Sequence, residues 1–146
     1  MIQAGASILD VGGESTRPGA ERISVTEQIS RVVPVIQGLR SQSDVVISVD
    51  TTREEVARAA HHAGADLVND VSAGLEDDGL LGSIAELSMG VILMHRLVPP
   101  AEDVYSDQYS VAPKYKNVVQ EVAQFLQDRA HAALEAGIQR EGIILD

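Results

Sequence analysis

The chain has 146 residues, enough for one domain, and carries a formal charge of −11 with 11 Lys plus Arg scattered along it, which excludes the basic stripe a nucleic-acid surface needs. There is no cysteine, so disulfides, thiolate nucleophiles and thiolate metal sites drop out together. Aromatics at 3% leave Val, Ile, Leu and Ala to build the core, and no apolar run approaches the roughly 20 residues of a membrane helix, so a soluble, cytoplasmic protein is the expectation.

In chain order, Met1–Ala4 reads as the last turn of a helix, stopped at Gly5 and followed by the short apolar run Ser7-Ile8-Leu9. That run opens into Asp10-Val-Gly-Gly-Glu-Ser-Thr-Arg-Pro-Gly19, a polar, glycine-flanked segment with the composition of a ligand-binding loop. Ser24 and Glu27 have capping-box spacing, and Ile29, Val32, Val33, Ile36 and Leu39 fall on one face of the helix that follows, with Pro34 expected to kink it. A strand over Val45–Val49 exits at Asp50. Thr51 and Glu54 repeat the capping-box spacing before a helix with Val56, Ala59, Ala60 and Ala63 inward. Ala63-Gly64-Ala65 then leads into a strand ending at Asn69-Asp70. A third helix is predicted over about 80–87, and a strand over Gly90–Met94 exits at His95. A long helix over about 114–136 should turn Val118, Val122, Phe125, Leu126, Ala130 and Ala133 inward, and Ala136-Gly137-Ile138 precedes the strand to Asp146.

Strands alternating with helices select an α/β architecture, and apolar runs without alternation suggest parallel strands buried on both faces. Neither Gly-x-Gly-x-x-Gly nor Gly-Lys-Ser/Thr is present, which removes the dinucleotide and phosphate-loop signatures. All five strands exit into polar side chains, namely Asp10, Asp50, Asn69 with Asp70, His95 and Asp146, which is the arrangement of a barrel enzyme. The expected fold is therefore a TIM-type (β/α)8 barrel. A closed barrel needs about 250 residues, so 1–146 is expected to be a single, partial barrel domain with about five consecutive strands and four helices, the middle of a longer protein.

Taken together, Gly12-Gly-Glu-Ser-Thr-Arg-Pro-Gly19, Val49-Asp50-Thr51, Asn69-Asp70-Val71, Met94-His95 and Ile144-Leu145-Asp146 resemble the dihydropteroate synthase family, over nearly the whole chain. The resemblance implies a TIM-type barrel that condenses 6-hydroxymethyl-7,8-dihydropterin pyrophosphate with p-aminobenzoate, with Mg²⁺ assistance, in a protein expected to be a homodimer when full length. It also implies that Asp50, Asn69 and Asp146 hold the pterin, with Val71 and Met94 on its faces. Thr16, Arg17 and Pro18 would lie on a loop that closes over p-aminobenzoate. The chemistry agrees: a pterin edge carries paired N–H donors, which carboxylates accept well, while the Asn69 amide both donates and accepts. Asp50 read alone could equally well only stabilise a helix N-terminus, and Asn69 alone could be a turn residue.

No general base is assigned, because loss of pyrophosphate leaves a stabilised cation for the amine to capture. No metal ligand is assigned within these residues, and none of His61, His62, His95 or His131 stands in a metal-binding spacing. His95 is at least as well explained by a place on the barrel rim. The family's Asn-bearing first loop, its Gly-Phe-x-Lys segment and its Arg-x-His pair have no counterpart, so 1–146 alone is expected to be inactive. Arg96-Leu-Val-Pro-Pro100 departs from the family's glycine-containing pattern. The alternatives are a pterin-binding corrinoid-type methyltransferase domain, against which Glu14–Pro18 speaks, and a non-catalytic pterin-binding remnant.

Overall fold

A computed structural model describes residues 1–146. Five parallel strands, β1 (Ile8–Gly12), β2 (Val46–Asp50), β3 (Leu67–Asp70), β4 (Gly90–Leu93) and β5 (Ile143–Leu145), lie side by side in chain order. Four helices, α1 (Val25–Arg40), α2 (Glu54–Ala63), α3 (Leu80–Glu86) and α4 (Val118–Glu135), form the connections. Strictly sequential order is decisive between the two candidate architectures. A doubly wound sheet reverses its order at a switch point, whereas a barrel adds each strand beside the last. This is the barrel's winding.

The glycine stops behave as the sequence suggests: Gly5, Gly64 and Gly137 all take positive φ, at 92°, 110° and 102°. The capping boxes divide. Ser24 Oγ accepts the Glu27 amide at 3.2 Å, but the Glu27 carboxylate binds Arg31 instead of reaching back. At the second site no capping box forms. Thr51 Oγ1 accepts from the Arg53 amide, α2 begins only at Glu54, and the Glu54 amide is taken by Asp77 Oδ2 at 2.9 Å. A carboxylate from the next loop has replaced the local cap. α1 runs unbroken through the exposed Pro34.

The core lies between one face of the sheet and the helices. Val11, Val49, Val68, Val91 and Ile143 share one register row on that face, and Ile47, Val49, Val68, Val91 and Leu93 pack with Val32, Ile36, Val56, Ala60, Leu80 and Ile84. Fourteen of the nineteen clustered residues are fully inaccessible. Burial at that level is worth about 1.5–3 kcal/mol for each Val, Leu or Ile side chain. The expectation of strands buried on both faces is corrected: Ile8, Val46 and Ile144 on the other face are about 40% exposed, because no strand lies opposite them across the sheet. The long helix is corrected too. Its first turns carry Val118 and Val119 at 50% and 73% exposure, only Ala133 is fully buried, and Phe125 is partly buried against the core. α4 is docked through its C-terminal half.

No helix is long and apolar enough to cross a membrane.

Candidate ligand site at the strand ends

The uncovered face of the sheet carries the polar strand ends. Register places Gly12, Asp50, Asn69, Ile92 and Ile144 in one row across it. One row earlier, Asp10 pairs with Ser48. Asp10 therefore lies within β1 instead of at its exit, and it organises this floor. Its two carboxylate oxygens accept the Ser48 hydroxyl at 2.5 Å and the Asn69 amide nitrogen at 3.0 Å. Asn69 is thereby oriented by a hydrogen bond that consumes one of its donors and leaves its carbonyl oxygen unassigned.

Asp50 is different in kind. Its Oδ1 is buried and has no hydrogen-bond partner. Burial pushes its carboxyl up to about 6, the negative charges of Asp10, Glu14 and Asp70 add to the rise, and the neighbouring Thr16 hydroxyl opposes it in part. An unsatisfied buried carboxylate oxygen costs about 1–3 kcal/mol or more. A ligand that brings paired N–H donors removes that cost.

Asp50 lines a cavity together with Glu14, Thr16, Arg22, Gln28, Thr51, Thr52, Val71, Arg96 and Pro100. An adjoining cavity continues from Thr16 and Val71 to Met94, Arg96, Val98, Pro100 and Asp103. Of the residues singled out from sequence, the structure thus brings Asp50, Thr16, Val71 and Met94 together, with Asn69 beside Asp50 on the floor. Arg17 and Pro18 do not line either cavity. The loop turns at this point, with Ala20 N–H bonded to Arg17 O and Gly19 N–H to Pro100 O at 2.7 Å; Thr16 lines the Asp50 cavity, while Arg17 is exposed and Pro18 half-buried outside it. Asp146 is also outside the cavities. Its backbone extends the β4 pairing, donating to Leu93 O and accepting from His95 N–H, and its side chain has no hydrogen-bond partner.

Asn69 and Asp70, adjacent strand-end residues, part company. Period-two alternation sends Asp70 to the helix side. There it is fully buried and accepts the Ser72 amide, the Ser72 hydroxyl and the Gly74 amide, at 2.7, 2.7 and 2.5 Å. It shapes the loop after β3, where Ala73 and Gly74 both have positive φ. His95 packs its ring edge-on against Phe125, centroids 5.0 Å apart. His61 is half-buried with a ring nitrogen that lacks a partner, and lies near the C-terminal end of α2.

Three features escaped the sequence. Glu14, in the middle of the loop, accepts the Ile23 amide at 2.9 Å and the buried Gln28 side chain at 3.2 Å, which closes the loop onto α1. Gly13 lies so close to α1 that an added Cβ would stand 3.0 Å from Gln28 backbone atoms. Glu76, after β3, accepts from Arg22, Arg96 and, at 2.8 Å, Thr52. Burial alone would push Glu76 up, but these three donors hold it down at about 2. Long-range pairs of this kind leave no periodic signal.

No group of three or more His, Asp or Glu side chains is placed to hold a metal ion.

A sheet wound in barrel order, with carboxylate, amide and hydroxyl groups gathered at its strand ends over an open floor, has the winding and strand-end arrangement of a TIM-type barrel. The pterin binding enzyme family matches residues 1–146 in full, and the chain belongs to it. A dihydropteroate synthase of Streptococcus pyogenes is 46% identical over 146 residues, which is all of this chain and 50% of that protein. The crystal structure of Xanthomonas albilineans dihydropteroate synthase with 4-aminobenzoic acid superposes with a TM-score of 0.84 at 43% identity, covering 99% of this chain and 48% of that one. Yersinia pestis dihydropteroate synthase in a sulfonamide drug complex gives 0.88 at 37% identity, covering 99% and 50%. The chain spans about half the length of the relatives it matches.

Proposed function

We propose that these residues form the pterin-binding part of a dihydropteroate synthase, an enzyme that joins 6-hydroxymethyl-7,8-dihydropterin pyrophosphate to p-aminobenzoate. The observation that carries the reading is the Asp50 carboxylate, buried with Oδ1 unpartnered and with Asn69 beside it in register. The amino group and ring N–H of a pterin edge supply the paired donors that this oxygen lacks, and Asn69 offers a carbonyl oxygen to the same edge. Val71 and Met94 provide apolar surface for the ring faces, and Thr16 comes over the Asp50 end of the cavity.

In the reaction the methylene carbon–oxygen bond to pyrophosphate breaks and a carbon–nitrogen bond to the arylamine forms, after which the amine loses a proton. The part played by this chain is to fix the pterin and hold the second substrate near its methylene, which makes a two-substrate reaction effectively unimolecular. None of the side chains of the site is required as a general base, because loss of pyrophosphate leaves a stabilised cation for the amine to capture. The pyrophosphate-binding groups are assigned to the half of the relatives' length that this chain does not span, as is the assembly of the whole protein into a homodimer.

Titration calorimetry of the 146-residue chain with 6-hydroxymethyl-7,8-dihydropterin tests the reading. Binding that weakens at least tenfold in Asp50→Asn is expected, since an amide presents one acceptor where two are needed. No binding by the unaltered chain, or equal binding by Asp50→Asn, overturns it. Preferential binding of methyltetrahydrofolate would instead favour the methyltransferase-type alternative.

A further inference from the structure

Glu76 does not line the cavity that holds Asp50, yet all three of its hydrogen-bond partners do. Those partners come from different strand-end connections: Arg22 from the segment between β1 and α1, Thr52 from the turn after β2, and Arg96 from the segment after β4. Glu76 itself lies between β3 and α3. One carboxylate thus ties four consecutive connections together above the site.

The charges make the purpose specific. Glu14 and Asp50 put negative charge on the cavity wall, and an anionic ligand entering it needs compensation. Arg22 and Arg96 are the cationic groups on that wall. Arg96 is 15% exposed, and its Nη1 is buried without a partner, so one donor of a held guanidinium remains free. A long arginine side chain that is not fixed extends into water.

We propose that Glu76 is a positioning residue that holds the Arg22 and Arg96 guanidiniums on the cavity wall and so lets the site accept an anionic co-ligand beside the pterin. The inference rests on the pterin reading for its ligand class and on Glu76 geometry for its residue. It makes a prediction opposite in sign to simple electrostatics. Glu76→Gln removes a negative charge, which by Coulomb's law alone strengthens anion binding. Release of the two guanidiniums weakens it.

The test measures p-aminobenzoate affinity with saturating 6-hydroxymethyl-7,8-dihydropterin, together with pterin affinity alone. In Glu76→Gln, p-aminobenzoate binding is expected to fall about tenfold while pterin binding changes less than twofold. Arg22→Leu is expected to give a similar loss, and the double variant no more than the larger single loss, since both break one link. Unchanged or tighter p-aminobenzoate binding in Glu76→Gln overturns the proposal. Equal loss of both ligands also overturns it, because that is the signature of general loosening. A ligand-free measurement separates this outcome from failure of the pterin reading: amide exchange at Gly19 and Ile23 should speed up in both variants while β2 and β3 amides do not change. If exchange at those loop amides is unaltered, Glu76 does not position the loop, whatever the chain binds.

Discussion

The floor of the site and the knot above it are both built on carboxylates, and they use them in opposite ways. At the knot, Glu76 is surrounded by two guanidiniums and a hydroxyl and is held at about 2. On the floor, Asp50 is half-buried beside other carboxylates, has a buried oxygen without a donor and is pushed up to about 6. A satisfied buried carboxylate is structure, and an unsatisfied one is a binding site waiting for its donors. Asp70 and Asn69 repeat the contrast one residue apart, the first saturated by its own loop and the second open to the lumen side.

The contrast is testable through stability. The largest effect is expected at Glu76. Its folded value lies below its unfolded one, so its contribution is fully present above about pH 4.5 and is lost as the pH falls toward 2. Glu76→Gln should therefore cost about 2–3 kcal/mol at pH 7. Urea denaturation should show that difference shrinking below pH 4, and a constant difference across pH would break the assignment to charge.

Asp50 should do the reverse. Its folded value is raised, so ionising it costs stability that is absent below about pH 4, grows between 4 and 6 and is complete above 6. Discounted for its partial exposure, the cost is about 1–2 kcal/mol. Asp50→Asn should accordingly be more stable than the unaltered chain at pH 8 and indistinguishable at pH 3.5, as thermal unfolding would reveal. A variant less stable at pH 8 would show that Asp50 belongs with Glu76.

The smallest effect is expected at Ser48→Ala. It removes the hydroxyl donor of Asp10, but Asp10 is exposed and water replaces the lost bond, so about 0.5–1 kcal/mol is expected from the same unfolding measurement. A larger loss would mean that the floor is as rigidly wired as the knot.

Local pattern made much of the fold legible. Glycine stops at Gly5, Gly64 and Gly137 and the helical face of α1 are near-neighbour properties, and the structure realises them; on α2, Val56, Ala60 and Ala63 turn inward as expected, but Ala57 takes the core place given to Ala59. The second capping box was misleading because a cap is a competition. Asp77, from the next loop, reaches the Glu54 amide and displaces the local arrangement. The inward face drawn for α4 was misleading because helical periodicity shows which residues share a face, without showing how much of that face finds something to cover it. In the site, Asp50, Asn69, Thr16, Val71 and Met94 were readable as strand-end or loop residues, whereas Arg17, Pro18 and Asp146 stay outside the cavities by the course of their backbones.

By itself the sequence determined the alternation of strands and helices, the polar strand ends at Asp50 and Asn69-Asp70 and, through the Gly12–Gly19 string, the family, because each of these is written in consecutive residues. Only the tertiary structure decided the strand order, which side of the sheet Asn69 and Asp70 each face, and that Glu76 gathers Arg22, Thr52 and Arg96. The reason is physical. Desolvation and ion pairing depend on which side chains meet in space, and parallel strands bring together residues whose separation along the chain carries no periodic signal.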